Sequence, residues 1–335
     1  MDALDVRILR TMDIQPFGRV PRPPETVKAP SIARRLKVNP ERVADRIARM
    51  ERSGVIEGYE VYPNYRQVGY DSCCYFLRLG DDDRVDAAID RLMPLEGVAG
   101  CYAFLGGDMC VNFCYRNPID MERQLRVLVA IAKEGGEVHK YYDLELPTVR
   151  RPLSNLDWRI VKALRGNAFR AHAEVGAELG VSAKTVKRRF DRMGEEGAFF
   201  IIPEVDLAAF EGAVMVVFLF HLDPDAAPQT VHGIDRAFDD VALVVDPPTN
   251  LSLGNYSLGC VTRSAAEVEA LRRRALAIKG VARVRVAAFR RVAEDYSWLD
   301  AAIEDRLRAT REPAPSTPRA SVPSRGRRPR ARTTA

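Results

Sequence analysis

Apolar and polar positions along this chain repeat as two long blocks. In LDVRILRTM, residues 4–12, Leu4, Ile8 and Leu9 share one helical face. LDWRIVKAL, residues 156–164, restores the pattern, with Leu4, Asp5, Arg7 and Ile8 matched by Leu156, Asp157, Arg159 and Ile160 at an offset of 152. SIARRLK (31–37) and EVGAELG (174–180) are second short helices, and Ile32, Ala33 and Leu36 align with Val175, Gly176 and Leu179. VNPERVADRIARMERSG (38–54) and VSAKTVKRRFDRMGEEG (181–197) are third helices, with Val38, Val43, Met50 and Gly54 matched by Val181, Val186, Met193 and Gly197 at an offset of 143. The offset changes between the first and second helices, where the Pro-rich QPFGRVPRPPETVKAP of the first copy is replaced by the shorter RGNAFRA.

End signals agree with these helices. Asn39 and Ser182 are favourable N-caps, Pro40 occupies the tolerated first helical position, and Gly54 and Gly197 stop the third helices. VIEGYEVYP and AFFIIPEVD then read as short strands. Three short helices and a strand or hairpin describe a winged helix-turn-helix, whose third helix enters the DNA major groove. Each such unit is followed by about ninety residues in which strand and helix patterns alternate as β-α-β-β-α-β, the ferredoxin-like split motif. Helices cover one face of such a sheet, and two modules in one chain can cover each other's remaining apolar face.

The pattern predicts an α+β protein with two winged helix-turn-helix domains alternating with two ferredoxin-like (βαββαβ) ligand domains. The divisions are residues 1–63, 64–150, 151–205 and 206–298, then a C-terminal helix at 299–312 and a disordered Arg/Pro-rich tail at 313–335. The tail holds six Arg and no acid, and without them the formal charge of +5 becomes −1. Such an arm touches nucleic acid without regard to sequence.

Charge also separates the two heads. The second third-helix carries five cations between Lys184 and Arg192, while Val186, Phe190 and Met193 form its buried stripe. Lys184, Thr185, Lys187, Arg188 and Arg192 are placed to meet phosphates and base edges, with Ser182 capping the helix beside them. Arg189 lies next to the stripe, as does its counterpart Arg46, so each is an internal anchor as much as a DNA contact. The first head, with Asn39, Arg42, Arg46 and Arg49, dilutes its cations with Glu41, Asp45 and Glu51 and is the weaker candidate. Double-stranded DNA is the partner this arrangement predicts.

Other chemistry is sparse. The six Cys form no C-x-x-C pair and lie in strand-like runs, which predicts buried small hydrophobes; the four His are scattered, so no metal or other cofactor is expected. No P-loop, dinucleotide or nucleophile-elbow pattern occurs, and no catalytic residue is assigned. No run approaches the roughly 18 apolar residues of a membrane helix. The start, MDALDVRILR, is no signal peptide, so a cytoplasmic protein without membrane partners is expected.

This order of elements resembles the Lrp/AsnC family, the leucine-responsive and asparagine-regulator transcription factors. LDVRIL and LDWRIV resemble the family's opening helix, and SGVIEGYEVYPNYRQVGY (53–70) its wing and linker. FLGGDMCVNF and LGNYSLGCV resemble its ligand-domain hairpin. The likeness covers about residues 1–298, twice over. It implies self-association through the ligand domains and a small-molecule effector such as an amino acid near Gly107, Asp108 and Met109, and near Gly254, Asn255 and Tyr256. Cys110 and Ser257 depart from the hairpin's second Asp, and VVDPPTNLSLG lengthens the second hairpin, which weakens the amino-acid expectation.

Siroheme decarboxylases resemble the same family and supply an enzyme alternative. It would draw on Tyr102, His139, Tyr141, Tyr142, His221 or His232 as proton donors. A ligand sensor without DNA binding is a third alternative. The loaded helix at 184–192 and the Arg-rich tail favour DNA.

Overall fold

The computed structural model describes residues 1–14, 27–133, 135–144, 146–206, 209–210, 212–223, 228–245 and 255–310. Most of the Pro-rich loop of the first copy, the second hairpin's extension with Gly254, and the tail at 313–335 lie outside these residues.

The first head comprises α1 (Ala3–Met12), α2 (Ala29–Leu36) and α3 (Pro40–Arg52), followed by β1 (Ile56–Pro63) and the short α4 (Tyr65–Val68). The first ligand domain runs β2 (Asp71–Arg78), α5 (Asp82–Leu92), β3 (Val98–Phe104), β4 (Asp108–Tyr115), α6 (Pro118–Ala132) and β5 (Glu137–Asp143). The second head is α7 (Asn155–Leu164), α8 (His172–Leu179) and α9 (Ala183–Glu195), then β6 (Phe199–Val205). The second ligand domain runs β7 (Val214–Leu222), α10 (Pro228–Ala237), β8 (Ala242–Val245), β9 (Asn255–Thr262), α11 (Ala265–Leu276) and β10 (Val281–Glu294), and α12 (Ser297–Ala309) closes the described chain.

The short strand that the sequence places after each third helix is present, and its partner is the strand of the other copy. Among the described residues neither β1 nor β6 forms a hairpin of its own; they pair with each other, antiparallel, as a two-stranded ribbon. The register is self-complementary. Tyr59 faces Pro203 and Glu60 faces Ile202, and shifting by the repeat offset of 143 turns each pair into the other. This is how equivalent surfaces meet across a two-fold axis. Edge groups that a lone strand would leave unpaired are thereby satisfied.

All eight remaining strands form one sheet in the order β5-β2-β4-β3-β10-β7-β9-β8. Each half has the split order of a ferredoxin-like unit. The joint is β10. Its first part, Val281–Ala288, pairs with β7, and its second part, Phe289–Glu294, pairs with β3 of the other module, with an irregularity between Phe289 and Arg291. Helices α5 and α6 cover one face of the first half over Tyr75, Leu77, Val111 and Phe113. Helices α10 and α11 cover the second half over Phe218, Phe220 and Leu258. The helix-free faces join the cluster that also contains the cores of both heads. There Phe104 lies 6.2 Å from Phe76 and 4.8 Å from Phe289, ring centre to ring centre. The two modules are therefore joined through a shared strand, and their helix-free faces belong to one core with the two heads.

All six cysteines are buried and unpaired by disulfides. No helix among the described residues is long and apolar enough to cross a membrane.

The ribbon half-buries an acid. Glu204 on β6 accepts a hydrogen bond from the Tyr62 hydroxyl at 3.3 Å. Burial pushes its carboxyl up to about 7, and nearby Glu60 adds to the rise. A carboxyl whose folded value lies above its unfolded value of about 4.3 costs stability as pH rises between the two. Glu204→Gln removes that cost. In urea titrations the variant is expected to exceed the parent at pH 8 and to converge with it below about pH 4; parallel profiles across that range contradict the assignment.

Candidate nucleic-acid interface

The interface is built on α9, and the local sequence explains its form. Ser182, in extended conformation, accepts a hydrogen bond from the Thr185 amide and starts the helix. Asn39 does the same for α3, accepting from the amides of Glu41 and Arg42. Val186, Phe190 and Met193 are buried, and Phe190 stacks on Phe199 of β6 at 4.6 Å. Gly197 takes φ +68° just after the helix, as Gly54 takes φ +74° after α3.

The five cations of α9 divide into two sets. Arg189 and Arg192 point inward and converge on Asp157 Oδ1 at 2.8 and 3.0 Å. Arg189 also donates to the Ser154 hydroxyl at 3.1 Å. Asp157 is buried and is the third residue of α7, where it completes a capping box with Ser154. The first head repeats the arrangement. Buried Asp5 closes a capping box with Asp2 and receives Arg46 on Oδ1 at 3.0 Å and Arg49 on Oδ2 at 2.6 Å. A third helix is thus tied to its first helix by two guanidinium groups on one aspartate, in each head.

The outer set is Lys184, Lys187 and Arg188, all exposed. Lys187 is paired with Asp191 one turn on. Lys184 and Arg188 have no ion pair among the described residues. Thr185 is partly buried, its hydroxyl 2.9 Å from that of Ser182. In the first head Arg42 is exposed, alongside exposed Glu41 and Asp45. The structure therefore brings Lys184, Lys187 and Arg188 together on one outer surface, and it turns Arg46, Arg189 and Arg192 toward the buried aspartates, while Arg49 pairs with Asp5 yet stays exposed. Arg192 and Arg49, which the sequence turned toward DNA, each also pair with the aspartate of their own first helix. Asp5 and Asp157 were visible only as a repeated match; their coincidence with the repeated Arg46/Arg189 and Arg49/Arg192 was the signal for a clamp.

The expected effector residues sit differently from one another. Gly107, at φ +79°, is a structural turn: an added Cβ would lie 2.1 Å from the Asp81 amide nitrogen. Asp108 is buried on the helix-free face, where Arg285 of the other module pairs with it. Met109 and Tyr256 instead belong to the helix-covered cores, and the Tyr256 hydroxyl donates to Asp235 of α10. Asn255 opens β9 opposite His221. The proton donors of the enzyme alternative are dispersed. The Tyr102 hydroxyl donates to Glu294, His139 lies 3.3 Å from Glu137 on β5, and His221 lies 3.1 Å from Arg283.

Comparison with known proteins places the second head first. Residues 153–193 match the AsnC-type helix-turn-helix domain. The chain is 42% identical over 112 residues to the helix-turn-helix transcriptional regulator Ptr1 of Methanocaldococcus jannaschii, an alignment covering 32% of this chain and 70% of Ptr1. The chain belongs to the AsnC-type family of helix-turn-helix transcriptional regulators. An uncharacterised regulator of the same type from Pyrococcus abyssi is 29% identical over 106 residues, 30% of this chain and 69% of that protein. The siroheme decarboxylase NirDL matches in fold across 92% of this chain and 100% of its own, at a TM-score of 0.50 and 13% identity. At that identity the likeness concerns fold alone. The AsnC-type domain contains α7, α8 and nearly all of α9, so the Asp157 clamp lies wholly inside the part shared with the family.

Replacing Asp157 with Ala leaves two guanidinium groups without their partner. Breaking a buried pair costs about 3–5 kcal/mol, and because both arginines are partly exposed roughly 2–4 is expected here. Chemical denaturation reads this directly; a loss below about 0.5 kcal/mol would show that the clamp contributes nothing to the head.

Proposed function

We propose that this protein is a sequence-specific, DNA-binding transcriptional regulator that reads its site chiefly through α9, with Lys184, Thr185, Lys187 and Arg188 facing the duplex. The observation that carries this is the division of cations. Two arginines hold the helix in place from inside while the remaining charges occupy its outer surface, which is what a recognition helix needs. Ser182 sets the helix start, where backbone amides favour a phosphate. Arg42, beside Asn39, is the corresponding contact of the first head and the weaker one. Arg189, Arg192, Arg46 and Arg49 act indirectly, as supports.

Family membership supports the regulator over an enzyme. The self-complementary ribbon supports a chain that acts as a pseudo-dimer, presenting two unequal heads to an imperfect inverted repeat. Such a protein works in the cytoplasm, with the DNA. The ligand domains carry the modulation: a small molecule such as an amino acid, bound near Asp108 and the two hairpins, would favour one arrangement of the heads over another. Self-association through these domains would multiply the heads further.

The test is duplex selection followed by a salt series, on the intact chain and on a chain ending at Arg311. Each phosphate contact contributes about 0.9 to the slope of log affinity on log salt. Lys184→Ala/Arg188→Ala is expected to lower the slope by about 2 and abolish selection. Arg192→Ala is expected to weaken binding with the slope unchanged. Unselective binding that disappears with the tail would sink the proposal. The enzyme alternative has its own readout: purified protein titrated with a tetrapyrrole should show no saturable visible-absorption change, and a stoichiometric one would restore that alternative.

A further inference from the structure

The two copies cover the same sheet position in different ways. In each ligand domain the second strand of the β-α-β-β-α-β unit lies at the edge of its own four-stranded half. In the first domain that strand is β3, and β10 covers it. In the second it is β8, which among the described residues is the last strand of the sheet and pairs with β9 alone. The short β5 ends at Asp143 and does not reach it, whereas β10 runs for 14 residues. An open strand edge needs a cover. Here α1 of the first head packs on β8. Arg10 donates to the outward carbonyl of Ala242 at 3.2 Å and pairs with Asp239, which also meets Arg7 Nε at 3.2 Å. Arg263 at the end of β9 holds the Met1 carbonyl.

Among the described residues the second head has no such attachment. Arg159, the counterpart of Arg7, donates to the Leu179 carbonyl within its own head, and Lys162, the counterpart of Arg10, pairs with Glu304 of α12. The heads are therefore wired to different parts of the molecule.

We propose that β8 and the turn before it form a releasable latch on the first head, so that the second ligand domain governs the orientation of that head alone. The latch is built from partly exposed ion pairs, with Asp239 51% exposed, and such pairs are weak and screened by salt. Strand β8 pairs antiparallel with β9 of the same domain. A shift of this strand pair moves Ala242 and Asp239 against Arg7 and Arg10. Occupancy of this domain would then set whether the first head joins the second on DNA. That last step rests on the regulator reading; the latch does not.

Hydrogen–deuterium exchange on the full chain, without DNA, tests the latch. Asp239→Ala and Arg10→Ala are each expected to raise exchange in α1, α2 and α3 by about threefold to tenfold, with residues 155–195 unchanged. The double variant should add little to either single one, because both remove the same contact. Unchanged exchange in the first head, or an equal rise in both heads, overturns the proposal. If the first head alone loosens but the protein selects no duplex, the regulator reading fails and the latch stands.

Discussion

Strand β10 is the member on which the rest of the molecule depends. One continuous backbone donates and accepts along β7 with its first half and along β3 with its second. Two modules that could have been separate sheets become one, with a register irregularity between Phe289 and Arg291 where β10 runs along β3. Phe76, Phe104 and Phe289 fill the contact, and Arg285 reaches from the second module over the Phe76 ring to buried Asp108. Breaking β10 would expose two strand edges and two apolar faces at once.

From that joint the heads take their places. The end of β10 leads into α12, which packs on α7 of the second head. Arg165 at the end of α7 lies 4.2 Å over the Tyr62 ring and pairs with Glu60 of β1. The ribbon of β1 and β6 therefore does more than satisfy two strands. It fixes one head against the linker of the other, and its self-complementary register is the remaining trace of a two-fold relation between the copies. The two sheet edges differ for one reason: the extended last strand covers β3, and β8 is left to a helix.

Within each head the cations are not one population. A charge on α3 or α9 at the position of Arg46 or Arg189, or one turn later, falls over the start of the first helix, and a buried aspartate awaits it there. Fixing the third helix with ion pairs leaves its outer surface free for contacts that differ between the two copies. The second head uses that freedom for Lys184 and Arg188; the first places Glu41 and Asp45 among its charges.

The sequence by itself determined the local elements, the repeat and the family likeness. Helix faces, caps and strand alternation depend on neighbours three, four or two residues away, and these are legible in a line of text. Val186, Phe190 and Met193 are buried, and Asn39 and Ser182 cap, as their spacing and chemistry require. The tertiary structure decided what depends on partners far apart in the chain. Which carboxylate Arg192 pairs with, which strand β1 pairs with, and which core takes in Met109 and Tyr256 depend on contacts between distant residues. An arginine beside an apolar stripe looks the same in sequence whether it meets a phosphate or a carboxylate, because the choice rests on which buried group lies within about 3 Å of its tip.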